Sequence, residues 1–328
     1  MKKLIIPVLL MMVAAVVHSA TTLKFNQNGK FKIVQLTDVH YIYNDERSKP
    51  AENCINAVLE KEKPDLVVLT GDIIFGKPGK ESLQTVLDIV SKFKIPFAIT
   101  FGNHDDEQGV SKEDLMKIAM TYPYHIGKAS EGLTGVANYV LPVKSKDGQR
   151  DAEVLYVLDS NTYSKISGVK GYDYIHFDQV EWYRNQSKRF TAANGGKPVP
   201  SLAFYHIPVP EYTEAACSGS AMLYGSRTES NCPPALNSGF FAAAKEMGDI
   251  RGMFVGHDHD NDYAVMWHNV LLAYGRYSGG KTVYNNLPVN GARVIELSEG
   301  SDSFSTWIRL SNGEVEQRIT YPDSFLKK

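Results

Sequence analysis

The sequence predicts an α/β protein. Two observations predict the class. From residue 31 to residue 259, apolar strand-length runs alternate with amphipathic helical runs, and from about residue 263 the pattern becomes short strands separated by turns. A third observation predicts where the chemistry sits. Several of the apolar strands end, on their carboxyl side, in residue types that bind metals, and open α/β sheets bind ligands beyond the carboxyl ends of their strands.

The elements follow in order. "FKIVQLTD" (31–38) reads as a strand. "ENCINAVLEKEK" (52–63) places Ile55, Val58 and Leu59 on one helical face, with Cys54 among the apolar positions as a buried free thiol. "DLVVLTGD" (65–72) is a second strand. "SLQTVLDIVSKF" (82–93) repeats Leu83, Val86, Leu87 and Val90 at helical spacing, with Ser82 as its N-cap. "PFAITFGNHD" (96–105) is a third strand and "KEDLMKIAM" (112–120) a helix. Strand "AEVLYVLD" (152–159), helix "DQVEWYRNQSKRF" (178–190), strand "SLAFYH" (201–206), helix "FFAAAKEM" (240–247) and strand "GMFVGHDH" (252–259) continue the alternation. The β-rich end comprises "DYAVMW", "VLLAYG", "ARVIEL", "STWIRL" and "EVEQRITY".

The N-terminus reads as a secretory signal peptide over residues 1–20. Lys2 and Lys3 precede an apolar run from Leu4 to Val17, followed by Ser19 and Ala20. That run is short for a membrane span. The expectation is an exported protein, periplasmic or secreted, whose mature chain, 21–328, is a single domain without a transmembrane segment. Of the 328 residues, 43% are hydrophobic and 22% charged, a globular composition. The formal charge of −2 lacks the basic excess of a general nucleic-acid binder. Export brings oxidising conditions. Cys217 and Cys232 bracket a polar loop and are a candidate disulfide, worth roughly 3 kcal/mol in the entropic treatment of such a loop.

The strand-end residues are Asp38, His40, Asp72, Asn103, His104, His206, His257 and His259. Two metal ions in one site need about six or seven protein donors, one of them bridging. Carboxylates bridge well, and imidazole with carboxylate suits zinc, iron or manganese. An extended Asp38-Val39-His40 would point both side chains to one face, and His257 and His259 would do the same. Charged groups buried in such numbers without a metal would be costly.

The ordered blocks "DVH" (38–40), "GDIIF" (71–75), "GNHD" (102–105), "AFYH" (203–206) and "GHDH" (256–259) resemble the calcineurin-like metallophosphoesterases. "LDSNTYS" (158–164), "GYDYIHFDQVEW" (171–182), "NSGFF" (237–241) and "YGRYSGG" (274–280) extend the resemblance to the small plant- and fungal-type proteins labelled purple acid phosphatases. The resemblance implies a four-layer α/β/β/α sandwich of two mixed β-sheets. It implies two transition-metal ions, manganese, zinc or iron. One would take Asp38, His40, Asp72 and His259. The other would take Asp72, Asn103, His206 and His257. His104 would assist the leaving group, with Asp105 orienting it. Where the purple branch carries a glycine and a ligating tyrosine, this sequence has His40 and Phe75, so the tyrosinate–iron colour is not expected.

The implied activity is hydrolysis of phosphate esters, monoesters first, by a hydroxide held at the metal pair. The alternatives are a phosphodiesterase acting on nucleotides, nucleic acid or lipid head groups, and a catalytically silent metal-binding adaptor. The expected partner is a phosphorylated small molecule, with no stable nucleic-acid partner. Tyr41 and Asn161, beside ligand-bearing strand ends, and Tyr212, Arg227 and Arg276 are candidate substrate contacts. Residues 207–239 read as one long loop, a length usually tied to function. Asp258 is expected to point away from the metals, and Asp260 and Asp262 have no assigned role.

Overall fold

The structure, a computed structural model, describes residues 22–326; the predicted signal peptide lies outside them. Two mixed sheets carry the architecture. The first has the order β13-β12-β11-β1-β2-β3. Its parallel part is β1 (Lys30–Leu36), β2 (Leu66–Thr70) and β3 (Phe97–Thr100). Its antiparallel part is β11 (Gly291–Ser298), β12 (Phe304–Leu310) and β13 (Val315–Tyr321), joined through β1. The second sheet has the order β4-β5-β6-β8-β10-β9-β7. Here β5 (Asp151–Val157), β6 (Ser201–Phe204), β8 (Ile250–Val255) and β10 (Val270–Tyr274) run parallel. The edges are antiparallel: β4 (Tyr139–Lys144) on one side, β9 (Ala264–Trp267) and β7 (Leu223–Tyr224) on the other.

Side-chain alternation assigns the layers. Along β5, Leu155 and Val157 face the core shared with the first sheet, while Val154 and Tyr156 face a second core. The first core also takes Val34 and Leu36 of β1 and the apolar faces of α1 (Lys49–Glu62), α2 (Gly79–Ser91) and α3 (Lys112–Ala119). The second takes α4 (Phe177–Ala193), α5 (Glu211–Cys217) and α6 (Phe240–Met247). The result is helices, sheet, sheet, helices, as predicted. Strands buried on both faces must be apolar throughout, which is why "LVVLT" of β2 has no polar alternation.

Three local expectations change. Ser82 does not cap α2: the helix begins at Gly79, and the Ser82 hydroxyl instead accepts from Tyr43 N at 3.1 Å and donates to Pro78 O at 2.9 Å. Strand β4 is new, an edge strand containing Pro142, where a missing N–H is tolerated. Residues 207–239 are not one loop, since α5 and β7 lie within them. Among the described residues, no helix is long and apolar enough to cross a membrane.

Candidate metal centre

Five parallel strands deliver the centre. Asp38 and His40 follow β1, Asp72 follows β2, and Asn103 and His104 follow β3. From the second sheet, His206 follows β6, and His257 and His259 follow β8. The expected extended geometry at the first and last of these sites does not hold. Asp38, His40, Asp72 and His257 all have left-handed φ, at 53°, 46°, 48° and 81°. The strands have already ended at Leu36 and Val255. Tight turns, not pleating, aim these side chains inward. Such conformations cost of order 1–3 kcal/mol each and cluster at functional sites. Two close approaches require glycine. A Cβ on Gly102 would overlap the Asp72 carboxylate, and one on Gly256 would overlap the Thr37 hydroxyl.

The seven candidate ligands are all buried, at most 7% exposed, and six of them, all but Asn103, form two groups. Asp38, His40, Asp72 and His259 form one, and Asp72, His206 and His257 the other, each with its donor atoms within 4.8 Å of one another. Asp72 belongs to both. His206 Nδ1 faces Thr70 O at 2.8 Å and His259 Nδ1 faces Tyr284 O at 2.9 Å. A carbonyl can only accept, so each Nδ1 carries the proton and, in the neutral ring, each Nε2 is left as a lone pair. His259 Nε2 then lies 3.0 Å from His40 Nε2, and His206 Nε2 lies 3.1 Å from Asp72 Oδ2. Buried acceptors facing acceptors need a cation or a shared proton between them. Asn103 Oδ1, His206 Nε2 and His257 Nδ1 are buried without a hydrogen-bond partner. The donor set therefore fits a pair of transition-metal ions.

Electrostatics without a metal show the same strain. Burial holds the His40 and His257 imidazoles well below their usual pKa, against charging. Burial raises Asp38. At His206 burial opposes the charge, but the Asp72 and Asp38 carboxylates win and lift it to about 9. Burial also opposes the Asp72 charge, yet His206 holds that carboxyl well below its usual range. A His206–Asp72 ion pair thus balances charge that cations would otherwise balance.

His104 stands beside the centre, its ring centroid 5.7 Å from that of His40. Its expected partner is corrected. Asp105 accepts from the backbone N–H groups of Asp72, Ile73, Ile74 and Gly102 at 2.7–3.1 Å. It clamps the β2 and β3 turns together and does not orient His104. Glu107, in a short 3-10 turn (Asp105–Gln108), does so instead: its Oε2 lies 2.6 Å from His104 Nδ1. Glu107 Oε1 accepts from the Tyr163 hydroxyl at 3.1 Å, which in turn accepts from Asn103 Nδ2 at 3.3 Å. Glu107 and Tyr163 were missed in the sequence; only the i,i+3 spacing from His104 could have signalled Glu107. Phe75 packs edge-on against both His40 and His104, with centroids 5.2 and 5.1 Å away.

The sequence model of the calcineurin-like phosphoesterase family matches residues 31–261. This chain belongs to the calcineurin-like phosphoesterase family. It is 30% identical over 337 residues to the Arabidopsis thaliana protein named Probable inactive purple acid phosphatase 14, covering 88% of this chain and 83% of that one. It is 32% identical to Phosphatase DCR2 of Saccharomyces cerevisiae, covering 90% of this chain and 56% of the yeast protein. A dimetal phosphatase from Danio rerio shares the fold, with a TM-score of 0.60 at 14% identity over 88% of this chain and 98% of that one.

The remaining candidate residues are placed by their hydrogen bonds. Tyr41 is buried and its hydroxyl donates to Glu52 at 2.6 Å, on α1. Tyr212 is fully buried, donating to Met253 O at 2.8 Å. Arg276 is buried against Asp262 and Val289 O. These three hold the scaffold and do not offer substrate contacts. Asn161, at φ 68°, gives its amide to Tyr174 O and Gln179. It lines a cleft of about 530 Å³ that contains none of the seven candidate ligands. Arg227 is exposed and bonds Asn231 and Cys217. Cys217 and Cys232 are free thiols and do not form the expected disulfide. Each faces other groups, Arg227 for Cys217 and Ser230 O for Cys232. Cys54 is a buried free thiol, pushed up to about 12 by burial. Asp258 faces Tyr274 and Cys232 N, away from the ligand groups. Asp260 holds Asn286, and Asp262 pairs with Arg276.

Proposed function

We propose that this phosphoesterase hydrolyses phosphate monoesters at a two-metal centre built on Asp38, His40, Asp72, Asn103, His206, His257 and His259. The observation that carries the reading is the pair of ligand groups sharing Asp72, with His104 held beside them. Manganese, zinc or iron ions bound there would supply Lewis acidity and a water of lowered pKa. The chain supplies the rest. Asp72 is positioned to serve both sites. Glu107 engages His104 Nδ1, leaving Nε2 to donate a proton to the departing oxygen. Asp105 keeps the turns that carry Asp72 and Asn103 in register. The segment 1–20 supports export, to the periplasm or the medium. Recovery there of a protein beginning near Thr21 checks it.

The test of the catalytic reading is metal content with turnover. Two metals per chain and hydrolysis of p-nitrophenyl phosphate above that of its bis ester are expected. His104→Ala should keep the metals and lower kcat for an alkyl phosphate, whose leaving oxygen needs the proton, by roughly 10²–10⁴. The name of the Arabidopsis relative favours a second reading, a metal-binding protein without turnover. Two metals per chain with no hydrolysis of either ester would establish it.

A further inference from the structure

Two of the candidate imidazole ligands are oriented by carbonyls, and those carbonyls are held differently. Thr70 O, facing His206, belongs to the last residue of β2. Tyr284 O, facing His259, lies in residues 281–290, which contain neither helix nor strand. Tyr284 is 54% exposed. A carbonyl on such a segment fixes one imidazole tautomer only if other bonds hold the segment in place.

Those bonds converge on Glu229. Its Oε2 accepts from the Tyr284 hydroxyl at 2.9 Å, and its Oε1 accepts from the backbone N–H of Asp260 at 2.5 Å. One carboxylate thereby joins the chain just after His259 to the segment that carries its orienting carbonyl. The Tyr284 ring stacks on the His259 ring, with centroids 4.5 Å apart. Asp260 reinforces the link, accepting from Asn286 N and Nδ2 at 2.6 Å each. Glu229 is held in its turn. Ser226 N donates to Asp262 at 2.7 Å, Thr228 Oγ1 to Asp260 O at 2.6 Å and Cys232 N to Asp258 at 3.2 Å. Residues 226–232 therefore run beside the segment that bears His259.

We infer that Glu229 is a positioning residue for one ion of the metal pair. Acting through Tyr284 and Asp260, it keeps Tyr284 O on His259 Nδ1, so that His259 Nε2 faces the other donors. This rests on the two-metal reading above and deepens it. His259 belongs to the group with Asp38, His40 and Asp72 and not to the group with His206 and His257. Loss of Glu229 should loosen one ion and spare the other.

Zinc titration of the metal-free chain, in competition with a chromophoric chelator, reads both sites without turnover. The unaltered protein should take two equivalents. Glu229→Ala removes both bonds and should weaken one equivalent roughly 10- to 100-fold while the other is unchanged. Glu229→Gln should keep both affinities, because its amide oxygen accepts from Asp260 N and its NH₂ donates to the Tyr284 oxygen. Tyr284→Phe removes one bond and keeps the ring and the carbonyl; this milder variant should weaken the same equivalent by less. If both equivalents weaken alike, or neither changes, in the Ala and Phe variants, the inference is overturned and the two-metal reading stands. Glu229→Gln losing as much as Glu229→Ala also overturns it, since charge and not placement would then be the cause. Fewer than two equivalents in the unaltered protein removes the two-metal reading and the inference with it. Selective loss of one ion in a protein that hydrolyses no ester keeps the inference and removes only the hydrolytic reading.

Discussion

Asp105 and Glu107 stand two positions apart and do unrelated work. The Asp105 carboxylate is buried and accepts four backbone N–H groups. Removing it strands those donors away from water, at about 1–3 kcal/mol for each one left unpaired. Asp105→Ala should therefore lower unfolding free energy by at least about 3 kcal/mol, and the protein that remains folded should lose metal, because Asp72 and Asn103 sit on the clamped turns. Denaturant titration and metal analysis read both effects. Glu107 is partly exposed, and among the described residues its side chain hydrogen-bonds only with His104 and Tyr163. Exposed pairs add little to stability. Glu107→Gln should leave stability and metal content unchanged, while slowing hydrolysis of an alkyl phosphate by roughly ten-fold. The loss should be smaller with p-nitrophenyl phosphate, whose leaving oxygen hardly needs a proton. Equal losses on both esters would make Glu107 a packing residue only.

At the scale of elements, hydrophobic period decided what could be foreseen. The strands that carry ligands and the helices α1 to α4 and α6 have strong apolar repeats, so their order and the residues at their ends were legible. The turns were not. Left-handed φ at Asp38, His40, Asp72 and His257 is only weakly marked by residue type, because aspartate and histidine adopt it more often than most residues but only glycine adopts it freely. Tyr41, Tyr212 and Arg276 follow the right strands in sequence, but their side chains turn to α1, Met253 O and Asp262. Pro142 masked β4. A further element effect concerns the segment after α3, where residue 125 pairs with Phe97 of β3. Both His125 ring nitrogens are buried without partners, and burial lowers the imidazole to about 4. The folded value lies below the unfolded 6.5, so the folded state binds fewer protons between those values. Stability is full above pH 6.5 and falls as pH drops from there through 4, by up to about 3 kcal/mol. His125→Phe should flatten that part of the pH–stability curve measured by denaturant unfolding. An unchanged slope would show that the buried imidazole is not its source.

Across the whole molecule, the centre is where the two sheets meet. Asp38, Asp72 and Asn103 come from the first sheet, and His206, His257 and His259 from the second. The contact is direct, since His257 N donates to Asp38 at 3.0 Å. Metal bound there would act on folding as well as catalysis. It would bind the assembled layers and not the unfolded chain, and a ligand present at a thousand times its Kd stabilises by about 4 kcal/mol. Removing it leaves buried carboxylates and imidazoles to compensate one another, as His206 and Asp72 do through a raised imidazole and a depressed carboxyl. Chelation should therefore lower Tm by on the order of 10 °C for a chain of this size, and readdition of Mn²⁺, Zn²⁺ or Fe²⁺ should restore it. The shared ligand gives the sharper comparison. Asp72→Asn removes a charge that belongs to both groups, whereas Asp38→Asn removes one from a single group. Metal analysis should find both ions lost or loosened in the first variant and one retained in the second. The chelator-induced drop in Tm should shrink in that order. If Asp72→Asn keeps one full equivalent of metal while Asp38→Asn loses two, the carboxylate joining the sites is Asp38, and the bridge assigned to Asp72 is wrong.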